Sequence, residues 1–96
     1  MWILQCSEAT FRLKPGAIKT IGRAPRADFI LDVPLVSRLH CRLTASDDNL
    51  EVVDLESTNG TFVNDERVQN ARLTKGDRLR IGRVELTVKE DVRAEG

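Results

Sequence analysis

Short apolar segments that alternate with polar residues dominate this chain, and Gly, Pro, Asp or Asn interrupts them every few positions. In segment 40–45, the alternation puts His40, Arg42 and Thr44 on one face of a strand and the apolar side chains on the other. A period of two places successive side chains on opposite faces of a β-strand, and no segment has the 3.6-residue period of a helix. The pattern therefore predicts an all-β fold of short strands joined by polar turns.

The apolar segments predict a β-sandwich of two antiparallel-rich sheets with about ten to eleven short strands. The segments that we interpret as strands are 2–6, 10–13, 17–21, 28–31, 40–45, 50–55, 61–63, 66–68, 78–81 and 84–89. A chain of 96 residues has the size of one domain. We assign residues 1–89 to that domain and the charged segment 90–96 to the start of a linker or tail.

Composition argues against several classes of function. Lys plus Arg and Asp plus Glu each number 15, so the formal net charge is zero, and aromatic residues make up 4%. Nucleic-acid-binding proteins ordinarily carry a basic surplus and aromatic side chains on which bases stack, so we expect no direct contact with nucleic acid. No segment approaches the ~20 apolar residues of a membrane helix, and no signal-peptide pattern begins the chain. We expect an intracellular protein, in the nucleus or cytoplasm, without membrane contact.

The cysteines and the histidine give no sign of catalysis. Cys6 and Cys41 are too few for a disulfide framework, lack metal-ligand spacing, and lie in strand-like segments as small apolar residues. His40 is the only histidine, and no nucleophile, base or metal ligand is spaced to act with it. We therefore expect no metal, no cofactor and no catalytic residue, so the protein is predicted not to be an enzyme.

Three polar segments stand out from the apolar framework. They are Gly-Arg at 22–23, Ser-Arg-Leu-His at 37–40 and Ser-Thr-Asn-Gly-Thr-Phe-Val-Asn at 57–64. Taken alone, Asn59-Gly60 is a turn signal, because both residues tolerate positive φ. In this order and at these distances, the three segments resemble the forkhead-associated (FHA) domain. The resemblance covers residues 18–88, and it implies the same β-sandwich that the apolar segments predict.

The resemblance implies a noncatalytic module that binds a phosphothreonine-containing protein segment through loops between strands, and that is monomeric as an isolated domain. It assigns the phosphothreonine to Arg23, Ser37, Arg38, Thr58 and Asn59. It assigns structural support of the site to Gly22, His40, Gly60 and Asn64. These residue types suit the ligand, because a guanidinium and a hydroxyl donate to phosphate oxygens and an amide side chain can bind a peptide main chain.

Within the family, Met1-Trp2 and segment 61–70 are similar to the amino terminus of a double-strand-break repair adaptor, which suggests a role in the DNA damage response. Three other classes of function stay open as alternatives. The first is a phosphate-independent assembly or oligomerisation module on the same sandwich. Binding that is retained after dephosphorylation of the partner would favour it. The second is a phosphatase or nuclease, and the absence of clustered carboxylates in the sequence argues against it. The third is a nucleic-acid-binding β-barrel, which the neutral charge disfavours.

Overall fold

A computed structural model describes residues 1–91 of the chain, and this part consists of strands and loops. The strands are β1 (Trp2–Gln5), β2 (Thr10–Leu13), β3 (Ile18–Gly22), β4 (Phe29–Ile30), β5 (Cys41–Ala45), β6 (Leu50–Asp54), β7 (Thr61–Val63), β8 (Glu66–Val68), β9 (Asn70–Leu73), β10 (Arg78–Ile81) and β11 (Val84–Glu90). The all-β prediction is confirmed. No helix that could cross a membrane occurs in residues 1–91.

The strands form two sheets that pack face to face. The six-stranded sheet has the order β2-β1-β11-β10-β7-β8, and the five-stranded sheet has the order β4-β3-β5-β6-β9. The short pair β3–β4 is parallel, and the other pairs are antiparallel. The predicted sandwich of two antiparallel-rich sheets is therefore confirmed.

The core lies between the sheets and is filled by the inward-facing residues of each alternating strand. Its fully buried apolar side chains come from both sheets: Leu4, Leu13, Leu79, Ile81, Leu86, Val88, Ile21, Cys41, Leu43, Leu50, Val52 and Leu73. Full burial of a Leu, Ile or Val side chain stabilises a fold by roughly 1.5–3 kcal/mol. This core is the rigid support on which the connecting loops are mounted.

Two contacts link the six-stranded sheet to the five-stranded sheet and its turns. The rings of Phe11 on β2 and Phe29 on β4 stack with their centroids 4.5 Å apart and their planes 6° apart. Because β2 and β4 are edge strands of different sheets, this stack joins the two sheets at one side. Trp2 Nε1 donates a hydrogen bond of 2.9 Å to the carbonyl oxygen of Ser46 in the β5–β6 turn. The Phe stack also anchors the two-residue strand β4 between the loops 23–28 and 31–40.

The structure differs from the strand predictions mainly at β9. This strand was not predicted, because Ala71 and Leu73 are its only apolar residues and two alternating positions are too few to mark a strand. Pairing with β6 stabilises it. The other strand ends lie within one residue of the predicted ones. Strand β11 includes Glu90, the first residue of the segment that we assigned to a tail, and Glu90 is opposite Trp2 of β1. Residues 92–96 of that segment lie outside the described residues.

Candidate functional site

Three loops meet at one end of the sandwich. They are residues 23–28 after β3, residues 31–40 before β5 and residues 55–60 between β6 and β7. The antiparallel pairing of β3 with β5 and of β5 with β6 brings the end of β3, the start of β5 and the end of β6 to the same side. The predicted site residues at 22–23, 37–40 and 57–60 lie in or beside these loops.

Gly22 lets the first two loops approach each other closely. A Cβ atom at Gly22 would overlap the main-chain carbonyl of Arg38, so no other residue fits without a backbone shift. The Arg23 N–H donates to the Ser37 carbonyl at 2.9 Å, and the Ala24 N–H donates to the Arg38 carbonyl at 3.1 Å. This main-chain pairing places Arg23 beside Ser37.

A cleft of about 360 Å³ opens between the three loops. It is lined by Arg23, Pro34, Leu35, Val36, Ser37, Thr58 and Asn59. Four of the five residues assigned to phosphothreonine by resemblance therefore share one concave surface. The loops hold them on a rigid scaffold, which is the usual location of binding residues in β-sandwich proteins.

The guanidinium of Arg23 is hydrogen-bonded at Nε and free at its two Nη groups among residues 1–91. Its Nε donates a hydrogen bond of 3.0 Å to the Val36 carbonyl. Its two Nη groups have no partner among residues 1–91, and the side chain is exposed. A guanidinium in this state can donate two parallel hydrogen bonds to a planar or tetrahedral anion.

The hydroxyl of Ser37 is likewise oriented and available. Its Oγ accepts a hydrogen bond of 3.0 Å from the Thr58 N–H, which links the loops 31–40 and 55–60. The hydroxyl proton has no acceptor in the described part of the chain, so Ser37 can donate it to an anion in the cleft.

Asn59 and Leu35 both line the cleft and are hydrogen-bonded to each other. Asn59 Nδ2 donates to the Leu35 carbonyl at 3.1 Å, which leaves the Oδ1 atom of Asn59 and its second amide proton for a ligand. Leu35 has a φ of 75°, in the left-handed region that side-chain-bearing residues seldom adopt. This conformation turns the Leu35 carbonyl towards Asn59. Main-chain strain of this kind is commonly found at functional sites.

His40 lies beneath the loops and is fully buried. Its Nδ1 accepts a hydrogen bond of 3.0 Å from the Ser37 N–H, and its Nε2 lies 2.9 Å from the Gly60 carbonyl. These partners assign the proton to Nε2, which donates to Gly60. The sequence alternation placed His40 on the polar face with Arg42. The structure buries it, because strand β5 begins only at Cys41 and His40 belongs to the preceding loop.

Asp54 and Ser57 form a buried network that sequence reasoning missed. The carboxylate of Asp54 accepts hydrogen bonds from the Ser57 N–H at 3.1 Å, the Ser57 hydroxyl at 2.5 Å and the Thr61 hydroxyl at 2.6 Å. Ser57 Oγ in turn accepts the Gly60 N–H at 3.0 Å. The spacing of Asp and Ser by three residues at the end of a strand is the local sequence signal of such a side-chain-supported turn.

The network also sets the charge state of Asp54. Burial alone would raise the pKa of Asp54, but the hydrogen bonds from Ser57 and Thr61 outweigh it and hold the pKa below the ordinary value of an aspartate. Asp54 is therefore ionised at neutral pH, and the charge-assisted hydrogen bonds are strong ones.

Gly60 serves a turn, as its pairing with Asn59 predicts, but the turn does not form a hairpin. Its φ is 91°, a conformation that glycine adopts readily. Strands β6 and β7 belong to different sheets, so the loop 55–60 crosses the sandwich. The loop cannot use ladder hydrogen bonds between its flanking strands, and the Asp54 network takes their place.

Arg38, the fifth residue that the resemblance assigns to the phosphothreonine, does not line the cleft. Arg38 is exposed and lines a neighbouring depression of about 340 Å³ together with Arg23, Ala24, Pro25 and Asp32. Because Arg23 borders both depressions, the two guanidinium groups flank the same rim.

Asn64 is at the opposite end of β7, where it fixes the β7–β8 turn. Its Nδ2 donates to Asp77 Oδ1 at 3.1 Å, and its Oδ1 accepts the Arg78 N–H at 2.9 Å. Asn64 adopts a positive φ of 51°, as turns of this kind require. The structure does not bring Asn64 to the cleft, because the three residues of β7 separate it from the loop 55–60.

The described residues contain little else that could support chemistry. Within residues 1–91, no group of three His, Cys, Asp or Glu side chains could hold a metal ion. Burial, with a smaller contribution from the charge of Asp54, raises the pKa of the Cys41 thiol, so this sulfur stays protonated. A larger depression of about 760 Å³ lies at the other end of the sandwich, beside Met1 and Asp91, and contains none of the predicted site residues.

Comparison with known proteins identifies the family. A model of the FHA domain matches residues 19–82. The chain is 42% identical over 86 residues to the ABC transporter ATP-binding/permease protein Rv1747 of Mycobacterium tuberculosis, which covers 90% of this chain and 10% of that protein. It is 43% identical over 75 residues to the oxoglutarate dehydrogenase inhibitor of Corynebacterium diphtheriae, which covers 78% of this chain and 52% of that protein. The chain thus spans between a tenth and about half of these relatives.

Solved structures resemble this chain over nearly its whole length. An FHA domain solved in a study of phosphothreonine-dependent FHA domain interactions has a TM-score of 0.87 and 36% identity, covering 96% of this chain and 98% of that one. The structure of Mycobacterium tuberculosis EmbR in complex with a low-affinity phosphopeptide has a TM-score of 0.85 and 32% identity, covering 99% of this chain and 26% of that one.

Replacing Asp54 with Asn should destabilise the domain by roughly 2–4 kcal/mol at pH 7, because an amide presents its own N–H groups to donors that require an acceptor. The pKa of Asp54 is lowered by folding, so its contribution to stability is complete above the ordinary aspartate pKa of about 3.9 and is lost as the pH falls through the lower folded value. Thermal unfolding should therefore separate Asp54→Asn from the parent at neutral pH and less so near pH 3.

The exposed variant Asp47→Asn, in the β5–β6 turn, is the matched control and should melt like the parent at both pH values. Equal melting temperatures of Asp54→Asn and the parent at pH 7 would contradict the role of the network.

Proposed function

The chain belongs to the FHA domain family, and we propose that it binds a phosphothreonine-containing protein segment in the cleft between its three loops. The observation that carries the proposal is the state of Arg23, whose two Nη groups have no partner among residues 1–91 and border the same cleft as the available Ser37 hydroxyl. A dianionic phosphate requires this combination of a bidentate cation and short hydroxyl donors.

The remaining site residues have complementary roles. Arg38 adds positive charge at the rim that it shares with Arg23, and Thr58 adds a hydroxyl beside Ser37. The free amide atoms of Asn59 bind the main chain of the segment next to the phosphothreonine. The pyrrolidine of Pro34 and the side chains of Leu35 and Val36 supply apolar surface for the γ-methyl group of threonine. One buried methyl contributes on the order of 1 kcal/mol, so phosphothreonine should bind about tenfold more tightly than phosphoserine.

The domain acts by binding and not by catalysis. Cys41 is buried and protonated, and His40 uses both ring nitrogens for main-chain hydrogen bonds, so neither is a nucleophile or base facing the cleft. The function therefore depends on a kinase that phosphorylates the partner. The relatives named above are bacterial, so they give no support to a nuclear location or to a role in the DNA damage response, and we place the domain in the cytoplasm. The isolated domain is proposed to be monomeric.

Arg23→Ala and Ser37→Ala should each reduce phosphopeptide affinity strongly without unfolding the domain. Losing a charge-assisted contact to a partly desolvated anion costs roughly 2–5 kcal/mol. Asn59→Ala should also weaken binding, because the peptide main chain loses its partner. Calorimetric titration with a phosphothreonine peptide, and with its unphosphorylated form, measures both effects.

The control for these variants is Arg72→Ala, which removes an exposed arginine on β9 of the five-stranded sheet. It should bind like the parent. Unchanged affinity in Arg23→Ala or Ser37→Ala would refute the proposed site. Equal affinity for phosphorylated and unphosphorylated peptides would instead favour a phosphate-independent assembly module.

Binding should weaken as the pH falls through about 6, where the phosphate loses its second negative charge. The dianion accepts more and stronger hydrogen bonds from Arg23 and Ser37 than the monoanion does. A phosphonate peptide with a higher second pKa would shift the midpoint upwards, which separates titration of the ligand from titration of the protein. An affinity that stays flat between pH 7.5 and 5.5 would argue against recognition of the dianion.

The segment should carry an aliphatic residue, and not Asp, at the third position after the phosphothreonine. In FHA domains this position is often read by loops that border the phosphate pocket, and one contributor is the residue two before the phosphate-binding serine, here Leu35. Leu35 is 43% exposed and lines the cleft, so an Ile, Leu or Val could bury surface against it at ~25 cal/mol per Å². A peptide array tests this. A preference for Asp that Arg26→Ala or Arg38→Ala weakens would show that charge sets the specificity.

A further inference from the structure

Arg67 lies beside Gly60 of the loop 55–60, although it belongs to none of the three loops. It is on β8, directly opposite Phe62 of β7, and its side chain extends over Gly60. A Cβ atom on Gly60 would stand 2.8 Å from Arg67 Nε and 3.1 Å from Arg67 Cζ. The guanidinium thus occupies the space that a side chain on residue 60 would fill. Gly60 directly follows Asn59 in the chain.

No carboxylate of residues 1–91 forms an ion pair with Arg67. The neighbouring carboxylates serve other arginines, since Asp65 lies 3.6 Å from Arg78 and 3.4 Å from Arg80, and Glu85 lies 3.9 Å from Arg78. Arg80 also lies over the Phe62 ring, 4.4 Å from its centroid. The side chain of Arg67 is exposed and makes no hydrogen bond or ion pair with any residue of the described range 1–91. Its donors are therefore available to a ligand.

The position of Arg67 relative to Asn59 indicates what it can reach. In the proposed complex Asn59 binds the main chain of an extended segment, which advances ~3.3 Å per residue. A residue of the segment that passes Asn59 on the Gly60 side therefore comes within reach of the Arg67 guanidinium. The phosphothreonine itself is bound by Arg23 and Ser37, in loops that do not include Arg67.

We propose that Arg67 binds a second anionic group of the same segment, on the Gly60 side of the cleft. The group is a carboxylate or a second phosphate, because a guanidinium donates paired hydrogen bonds to either one. The proposal rests on the proposed function and adds a preference to it: the preferred partner segment carries a second negative charge besides the phosphothreonine. Arg67 is then a specificity-determining residue of the site.

The test compares phosphothreonine peptides whose flanking residues are alanines with peptides in which one alanine at a time, on either side, is replaced by Asp or phosphoserine. Calorimetry should find a position at which Asp improves affinity about two- to fivefold, as expected for a partly exposed ion pair, and at which phosphoserine improves it more. Arg67→Gln should remove this gain and leave the affinity for the all-alanine phosphopeptide unchanged. Arg72→Gln removes the same charge from a distant exposed position and should keep the gain.

The outcomes separate this proposal from the one on which it rests. Failure of the all-alanine phosphopeptide to bind would overturn the proposed function and the role of Arg67 with it. Binding of that peptide without a gain at any position overturns the role of Arg67 alone. The same holds for a gain that survives Arg67→Gln, for one that Arg72→Gln abolishes equally, and for an Arg67→Gln variant that weakens the all-alanine phosphopeptide. A gain with phosphoserine only identifies a second phosphate as the ligand, whereas a gain with Asp as well identifies a carboxylate.

Discussion

The imidazole of His40 joins the two loops on which the cleft depends. One ring nitrogen accepts the Ser37 N–H and the other donates to the Gly60 carbonyl, so the ring fixes main chain on both sides. The position of the Ser37 hydroxyl and of the Asn59 amide follows from these two bonds, because each residue is at or beside a main-chain group that His40 holds. The ring is fully buried, so its removal would leave both main-chain groups unsatisfied at roughly 1–3 kcal/mol each.

A second buried group, the Asp54 carboxylate, stabilises the loop 55–60 through hydrogen bonds, as ladder hydrogen bonds stabilise the turn of a hairpin. The loop crosses from one sheet to the other, and the hydrogen bonds of Asp54 with Ser57 and Thr61 replace the missing ladder. Ser57 Oγ in turn accepts a hydrogen bond from the Gly60 N–H. Gly60 is therefore held at its N–H by the Asp54 network and at its carbonyl by His40, and its neighbour Asn59 is fixed at the surface by buried polar contacts. Buried hydrogen bonds beneath the surface thus hold the exposed site residues in place.

What could be predicted from the sequence reflects which interactions are local. Alternation of apolar residues identified the strands with large buried side chains, but not β9, whose position depends on pairing with β6. The resemblance to FHA domains brought Arg23, Ser37 and Asn59 together, as the structure does. It could not separate Arg38, which lines the next depression, and it grouped Asn64 with a site from which β7 separates it. Asp54 was missed although its partners Ser57 and Thr61 are close in the sequence. Arg67 was missed because its position beside Gly60 follows from the pairing of β8 with β7.

A chain with no net charge can bind an anion because affinity depends on the local arrangement of donors and not on the total. Arg23 illustrates the point. Fixing a long arginine side chain ordinarily costs up to ~2 kcal/mol of rotamer entropy, and the bond from its Nε to Val36 places much of that cost in folding and not in binding. A lysine could bring the same charge to the cleft, but its single nitrogen could not bond Val36 and also present two parallel donors to a phosphate. The geometry of the guanidinium, and not merely its charge, is thus what the loop 31–40 is built to use.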